Sequence, residues 1–281
     1  MNKTSTRYFP DKPVRQGVML LVRGMFAEAF DNRWLIQQLF RRNFRGTYRQ
    51  SLLGIFWMLI VPLMGVGTFI FLNSGGVLDV GETTVPYPVF AVAGTACWQV
   101  FSLGLTLSAG SLVGGGTMIT KIKFPREALV FSSAAQGIIP SLLQITLVIV
   151  LFGLYRAAPP VTALLVPLAM IPLLLMTVGL GLLLALLNVI IRDVGFGISV
   201  LVTFLMFLTP VLYVKPALGV IADVTRYNPL YYLVAVPRDL LIGAGELEIR
   251  GFAWSALLAV AVFIGSWMIF KLTEMRLAER L

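Results

Sequence analysis

Residues 114–127 read GGGTMITKIKFPRE, three glycines ahead of two lysines, which invites comparison with a backbone loop that cradles phosphate. The nucleotide-hydrolysing form of that loop needs a glycine directly before Lys-Ser or Lys-Thr, because the lysine reaches the outer phosphates and the hydroxyl holds magnesium. Here Lys121 follows Thr120 and precedes Ile122, and no other stretch supplies the pattern. What remains is a short basic element with the cations Lys121, Lys123 and Arg126, broken by Phe124 and Pro125 and followed by Glu127. Other chemistry is excluded by composition. There is no histidine, which removes imidazole zinc sites, Ser-His-Asp triads and histidine proton relays. Cys97, the single cysteine, forms no intrachain disulfide and reads as a small apolar filler. Asp79 and Glu82 are the acids that a membrane glycosyltransferase or acyltransferase would use, but two carboxylates in a polar loop, without a histidine or a dense acidic cluster, read as solvated. No catalytic residue, metal site or bound cofactor is expected. Aromatic faces remain: Trp98, Phe101, Phe204, Phe207 and Tyr213 in or beside apolar runs, and Tyr227, Tyr231 and Tyr232 together further on. Such rings either line a passage for sugars or serve as lipid-facing and interfacial aromatics.

The elements that position these residues follow from hydropathy. AVILMFWYC residues make up 58% of the 281 and DEKR only 12%, against about 25% charged in soluble domains. A helix crosses the hydrocarbon with about 20 apolar residues, and six uncharged runs of that order occur, at 52–73, 87–113, 128–155, 161–187, 195–214 and 252–270. Pro62, Pro140, Pro167, Pro172 and Pro210 fall inside them, so kinks or half-helices are expected. Seventeen of the 22 Lys and Arg residues lie in segments that six spans would put on one side, which predicts both termini in the cytoplasm. The net charge of +9 thus speaks to orientation rather than to nucleic acid. The polar, basic opening reads as no secretory signal, and no cleavage is expected. Because the spans hold no Asp, Glu, Lys or Arg, transport through them would be driven from outside the chain.

Two further segments are amphipathic. In 33–49, Ile36, Phe40, Phe44 and Tyr48 recur every fourth residue, with Arg33, Arg41, Arg42, Arg45 and Arg49 on the other side, which predicts a helix along the inner membrane face. It suits either anionic lipid or a protein partner. In 228–243, Asn228 is a helix cap, Pro229 a first-turn residue and Gly243 a stop. The mostly apolar helix they frame is too short to span, so it should re-enter the outer leaflet or pack on the spans.

Four stretches in order, FRRNFRGTYRQSLLGIFWMLIVPL at 40–63, TKIKFPREALVFSS at 120–133, LNVIIRDVGFGISVLVTFLMFLTPVLY at 187–213 and YNPLYYLVAVPRDLLIG at 227–243, resemble the membrane subunit of bacterial type 2 ABC exporters of polysaccharide. That family moves O-antigen, teichoic acid and related capsular polymers. The resemblance implies an all-α membrane fold with residues 1–29 as a cytoplasmic segment, 30–50 as an amphipathic interface helix and 51–281 as a six-span domain with external re-entrant helices. It further implies a homodimer in the inner membrane around a channel for a lipid-linked polysaccharide, with two copies of a separate ABC ATPase subunit that bind ATP and magnesium. Arg41, Arg45, Lys121, Lys123, Phe124, Pro125, Arg126 and Glu127 would be the ATPase-coupling set. Trp98, Phe101, Phe204, Phe207, Tyr213, Tyr227, Tyr231 and Tyr232 would flank the polysaccharide path. Exporters of drugs or lipids share the same architecture. The pattern departs from the family at Val130 and Phe131, where Leu-Pro is common, and does not extend over the first 29 residues.

The missing phosphate loop gives a direct expectation. The purified chain alone should release no phosphate from ATP and should co-purify with a soluble ATPase; substantial hydrolysis by the lone chain would contradict this.

Overall fold

The computed structural model describes residues 18–48, 53–77, 80–116, 118, 124–215, 218–244 and 247–278. Among the described residues every regular element is a helix. Two helices, α1 (Val18–Asp31) and α2 (Arg33–Tyr48), lie at the basic end of the molecule. The bundle consists of α3 (Trp57–Ser74), α4 (Tyr87–Gly114), α5 (Glu127–Ala134), α6 (Ile138–Leu154), α7 (Val166–Ala169), α8 (Ile171–Ile190), α9 (Asp193–Leu208) and α12 (Ile249–Ala278). At the opposite end stand α10 (Val220–Tyr227) and α11 (Pro229–Ile242).

Among the described residues five helical runs are long and apolar enough to cross a membrane: Trp57–Ser74, Tyr87–Gly114, Glu127–Leu154, Val161–Ile190 and Ile249–Glu274. The expected run at 195–214 appears instead as α9, whose 16 residues cover about 24 Å at 1.5 Å per residue, short of the roughly 30 Å hydrocarbon layer. The cause is Pro210. A residue before proline avoids the helical region, and Thr209 is extended at φ −107° and ψ 114°. Pro62 lies inside α3, whereas three other prolines of the expected spans stand where the backbone N–H has no helical partner anyway. Pro140, Pro167 and Pro172 sit in the first turns of α6, α7 and α8, so two of the expected spans are built from consecutive helical pieces.

Helix α4 is the axis of the fold, buried along most of its length from Val89 to Leu112 and flanked by α5, α6, α8 and α11. Small residues permit this density, because helix association in hydrocarbon rests on close packing rather than on expelled water. A Cβ on Gly94 would stand 2.2 Å from the Val211 carbonyl oxygen, and one on Gly179 would stand 2.8 Å from the Phe263 Cα. A second apolar cluster at the basic end joins Met25 of α1, Leu39 of α2, Leu129 of α5, Leu182 of α8 and Trp267 and Phe270 of α12. Residues 18–29 of the segment that the sequence reads as cytoplasmic thus form most of α1, which packs on the bundle through Met25.

The frame of α11 matches its sequence signals. The Asn228 side chain accepts a hydrogen bond from the Leu230 N–H at 3.0 Å, and Gly243 adopts the left-handed conformation at φ 72°. At 14 residues α11 does not span, and almost all of it is buried against the starts of α4 and α12. By contrast α3 and α9 leave one broad side uncovered, with Val61, Met64 and Phe71 of α3 and Phe196, Val200 and Phe204 of α9 exposed.

Candidate functional site

At the basic end the last helix runs past the apolar stretch 252–270 and carries Lys271 and Glu274 into the interior. The Lys271 ammonium lies 2.5 Å from Glu127 at the start of α5 and 3.0 Å from Glu28 of α1, with Glu274 at 4.0 Å. Glu274 also accepts from the Arg126 backbone N–H at 3.4 Å and faces the Arg126 guanidinium at 3.7 Å. One ammonium therefore ties the segment before α5 to the first and last helices. Glu127, read from sequence as a residue of a polar loop, has 2% of its side chain exposed and is unavailable to a docking partner in this structure. Phe124, Pro125 and Arg126 are half-buried and keep a reachable side. Lys121 and Lys123 lie outside the described residues. Arg41 and Arg45 are exposed on α2 and border a hollow of about 500 Å³ together with Gln38, Arg42 and Gly46.

At the opposite end Arg238 of α11 is buried. It donates to the Pro210 carbonyl at 2.9 Å and to Asp239 at 2.8 Å, and its guanidinium lies 4.4 Å from the centre of the Phe90 ring. This satisfies the carbonyl at the end of α9 and clamps the break to α4. Burial pushes the Asp239 carboxyl up from its usual range, and the Arg238 guanidinium pulls it back down. Asn228 Nδ2 donates to the Thr209 hydroxyl at 2.9 Å, and Tyr87 donates to the Leu212 carbonyl at 2.8 Å, so the extended stretch after α9 is held on both sides.

The aromatic set is not one surface. Trp98 and Phe101 pack together inside α4's core, ring centres 5.2 Å apart. Tyr231 is buried, donates to Glu248 at 3.3 Å, and lies edge-on to Tyr232 at 5.0 Å. Lys215 sits 5.0 Å from the Tyr231 ring centre and 5.9 Å from that of Tyr232 while pairing with Glu248 at 2.9 Å, so these two faces are already covered. Tyr232 donates to the Arg226 carbonyl and half-buried Tyr213 to that of Phe207. Only Phe204, Phe207 and Tyr227 present exposed rings.

A polar strip, not an aromatic one, runs down the uncovered side. A groove of about 380 Å³ between α3, α4 and α9 has apolar walls that include Val61, Val66, Trp98, Leu103 and Met206, and set among them are the polar side chains of Thr95, Gln99, Ser102 and Thr106 of α4 and Ser199 and Thr203 of α9. Thr95, Thr106 and Thr203 each donate to a backbone carbonyl of their own helix, so their hydroxyl oxygens keep lone pairs to accept from a guest. The path residues expected from sequence contribute Trp98 to this groove and no others. The hydroxyls escaped sequence reading because Ser and Thr are common in membrane helices; their signal is the recurrence of 95, 99, 102 and 106 at three- and four-residue spacing. Asn188 was missed as well. It is buried, donates to the Ala109 carbonyl at 2.9 Å and accepts from the Gly195 N–H at 2.9 Å, joining α4, α8 and the first turn of α9.

The sequence is similar to those of known proteins. The sequence profile of the ABC-2 type transporter family matches residues 35–241. The "O-antigen export system permease protein RfbA" of Myxococcus xanthus is 29% identical over 187 residues, covering 66% of this chain and 70% of that protein. A protein of the same name from Klebsiella pneumoniae is 24% identical over 241 residues, covering 85% of this chain and 91% of its own length.

The ion cluster separates two neighbouring residues experimentally. Lys271→Met leaves the Glu127 carboxylate buried without its partner and should cost about 3–5 kcal/mol, whereas Arg126→Ala removes a half-exposed contact worth about 0–1 kcal/mol. Melting of the purified chain in detergent should therefore fall steeply for the first and little for the second; equal melting would show that the cluster does not hold the end together.

Proposed function

Since the chain belongs to the ABC-2 type transporter family, we propose that it is the transmembrane subunit of an ATP-driven exporter that moves a lipid-linked polysaccharide, of the O-antigen kind, from the cytoplasm across the bacterial inner membrane. The observation that carries this reading is the hydroxyl-lined groove at mid-depth of α4. A glycan is a dense array of O–H donors, and back-bonded Ser and Thr oxygens answer it with acceptors that need no proton of their own. Each such contact is weak, as movement along a path requires.

The groove opens on the side where α3 and α9 are uncovered. A second copy of the chain set against that side turns two grooves into one channel and walls a polar cargo off from lipid. The exposed apolar residues of α3 and α9 on that side then meet protein or lipid, both acceptable to them. The basic end faces the cytoplasm by the positive-inside rule, with six passes if α9 and the extended stretch after it together count as one. Two copies of a cytoplasmic ATPase subunit supply the energy, since the ionisable groups of the spans, Glu127, Arg250, Lys271 and Glu274, lie at their ends and none lies along the apolar stretches between. Phe124, Pro125 and Arg126, with Lys121 and Lys123, form the docking element, and Arg126 transmits motion to Glu274 of α12 and through it towards Lys271.

The test is genetic and local. Deletion of the gene should leave surface glycan absent and lipid-linked glycan retained inside the cell. Ser102→Leu combined with Thr203→Leu should cut surface glycan several-fold at unchanged membrane level of the chain. Normal glycan in the deletion strain would refute the function; normal glycan in the double variant alone would refute the groove as the path.

A further inference from the structure

Helix α6 turns one narrow face inward, and two polar side chains stand on it. Ser141 and Gln144, three positions apart, are each 1% exposed, while Leu142, Ile149 and Val150 on the other side of the helix are open. The inward face continues through Val148 and Phe152 into the core that surrounds α4. Elsewhere in the bundle such groups are answered. The hydroxyls of Thr95, Thr106, Thr146, Thr177 and Thr203 each donate to a carbonyl of their own helix, and buried Asn188 both donates and accepts. Ser141 Oγ and both Oε1 and Nε2 of Gln144 are shut from solvent and have no hydrogen-bond partner among the described residues. A buried polar group left bare is costly, and more so at membrane depth. Three such atoms within one helical turn therefore mark a place where something answers them.

Helix α4 runs antiparallel alongside. A Cβ on Gly104 would stand 2.9 Å from the Ala134 carbonyl oxygen, and one on Gly137 would stand 2.8 Å from that of Gln99, so the two chains touch at both levels. Carried one turn further, with equal rise in each helix, that register sets Ser141 and Gln144 level with Ala96 and Ala93, both fully buried. Their short side chains leave the space that a longer residue would fill. We propose that Ser141 and Gln144 form a binding site for a buried water molecule between α4 and α6. The chemistry selects the ligand. It must donate to Gln144 Oε1 and accept from Nε2, and the Ser141 hydroxyl takes either role. It must be small, because the three atoms are enclosed, and neutral, because neither α4 nor α6 contains an Asp, Glu, Lys or Arg to balance a charge. Three polar atoms also match the roughly three hydrogen bonds of a buried water. The site lies just past the joint where the turn Ala135–Gly137 meets α6. A bridging water follows a small displacement of either side chain, so α6 shifts on α4 there without baring a polar atom. The site stands whichever cargo the groove carries.

The test records proton-detected solid-state NMR of the full chain in lipid vesicles, with its glutamine side chains isotope-labelled. The Gln144 amide, identified as the signal missing from Gln144→Met, should take up magnetisation from water, and Ser141→Ala should reduce that transfer several-fold. Thermal melting in detergent gives a second reading. Ser141→Ala leaves the amide bare and should lower the midpoint by at least about 2 °C in the natural chain, but by much less in the Gln144→Met background, where no amide remains to be bared. If Gln144→Met does not fold, the amide signal is assigned through its correlations to the Gln144 backbone, and the transfer with and without Ser141→Ala decides alone. The proposal is overturned if the Gln144 amide receives nothing from water, if Ser141→Ala leaves the transfer unchanged, or if Ser141→Ala costs the same in both backgrounds.

Discussion

Lys271 meets Glu127 and Glu28 within 3.0 Å, where solvent barely reaches, and the basic end of the molecule is built around the cost of leaving any of these charges alone. Withdrawing an ion from water costs several kcal/mol, and the loss is recovered only when opposite charges are held close in fixed geometry. The lysine therefore fixes three chain segments relative to one another: α1 through Glu28, the start of α5 through Glu127 and the end of α12 on which it stands. Arg126 and Glu274 extend the same arrangement by one contact. A displacement of the segment before α5 is, by this geometry, a displacement of the first and last helices too. That is the mechanical property a coupling element needs.

A different balance governs the middle of the bundle. The groove polar groups are neutral, and most of the hydroxyls bond to their own helix backbone, so they sit in an apolar environment without a large unpaired cost. They remain usable because each oxygen accepts as well as donates. The outer end combines the two devices. Pro210 stops α9 early, and buried Arg238 holds the Pro210 carbonyl just past the break while lying against the Phe90 ring. The break in the helix is thus a fastened joint between α4, α9 and α11.

Much of this was legible in the sequence because it is written locally. Asn228, Pro229 and Gly243 frame α11 by backbone chemistry alone, and the apolar runs mark the helices by length. What was not legible depended on partners distant in sequence. Glu127 reads as a solvated acid in a basic loop, and nothing nearby reveals that Lys271, 144 positions on, will enclose it. The last uncharged run stops at Phe270, yet its helix continues to Ala278, and Lys271, the charge that closes the run, has buried partners. Run length at 195–214 predicted a full span, whereas Pro210 acts on the residue before it and cuts the helix at Leu208. Tyr231 and Tyr232 read from sequence as either an interfacial belt or platforms for sugars, and only the fold brings Lys215 and Glu248 onto them. Conversely the hydroxyl strip has no outstanding residue, and its meaning comes from which side of α4 is left uncovered.

The central claim is that this chain forms the passage and a separate ATPase provides the work. The most direct measurement reconstitutes the purified chain with its ATPase partner in vesicles, supplies lipid-linked glycan on the side of the nucleotide, and follows its appearance in the opposite leaflet with a membrane-impermeant lectin. The account predicts transfer only when chain, partner and ATP are all present, and its loss when a partner unable to hydrolyse ATP is substituted. Transfer by the chain without ATP, or none from the complete system while its ATPase turns over, would contradict it.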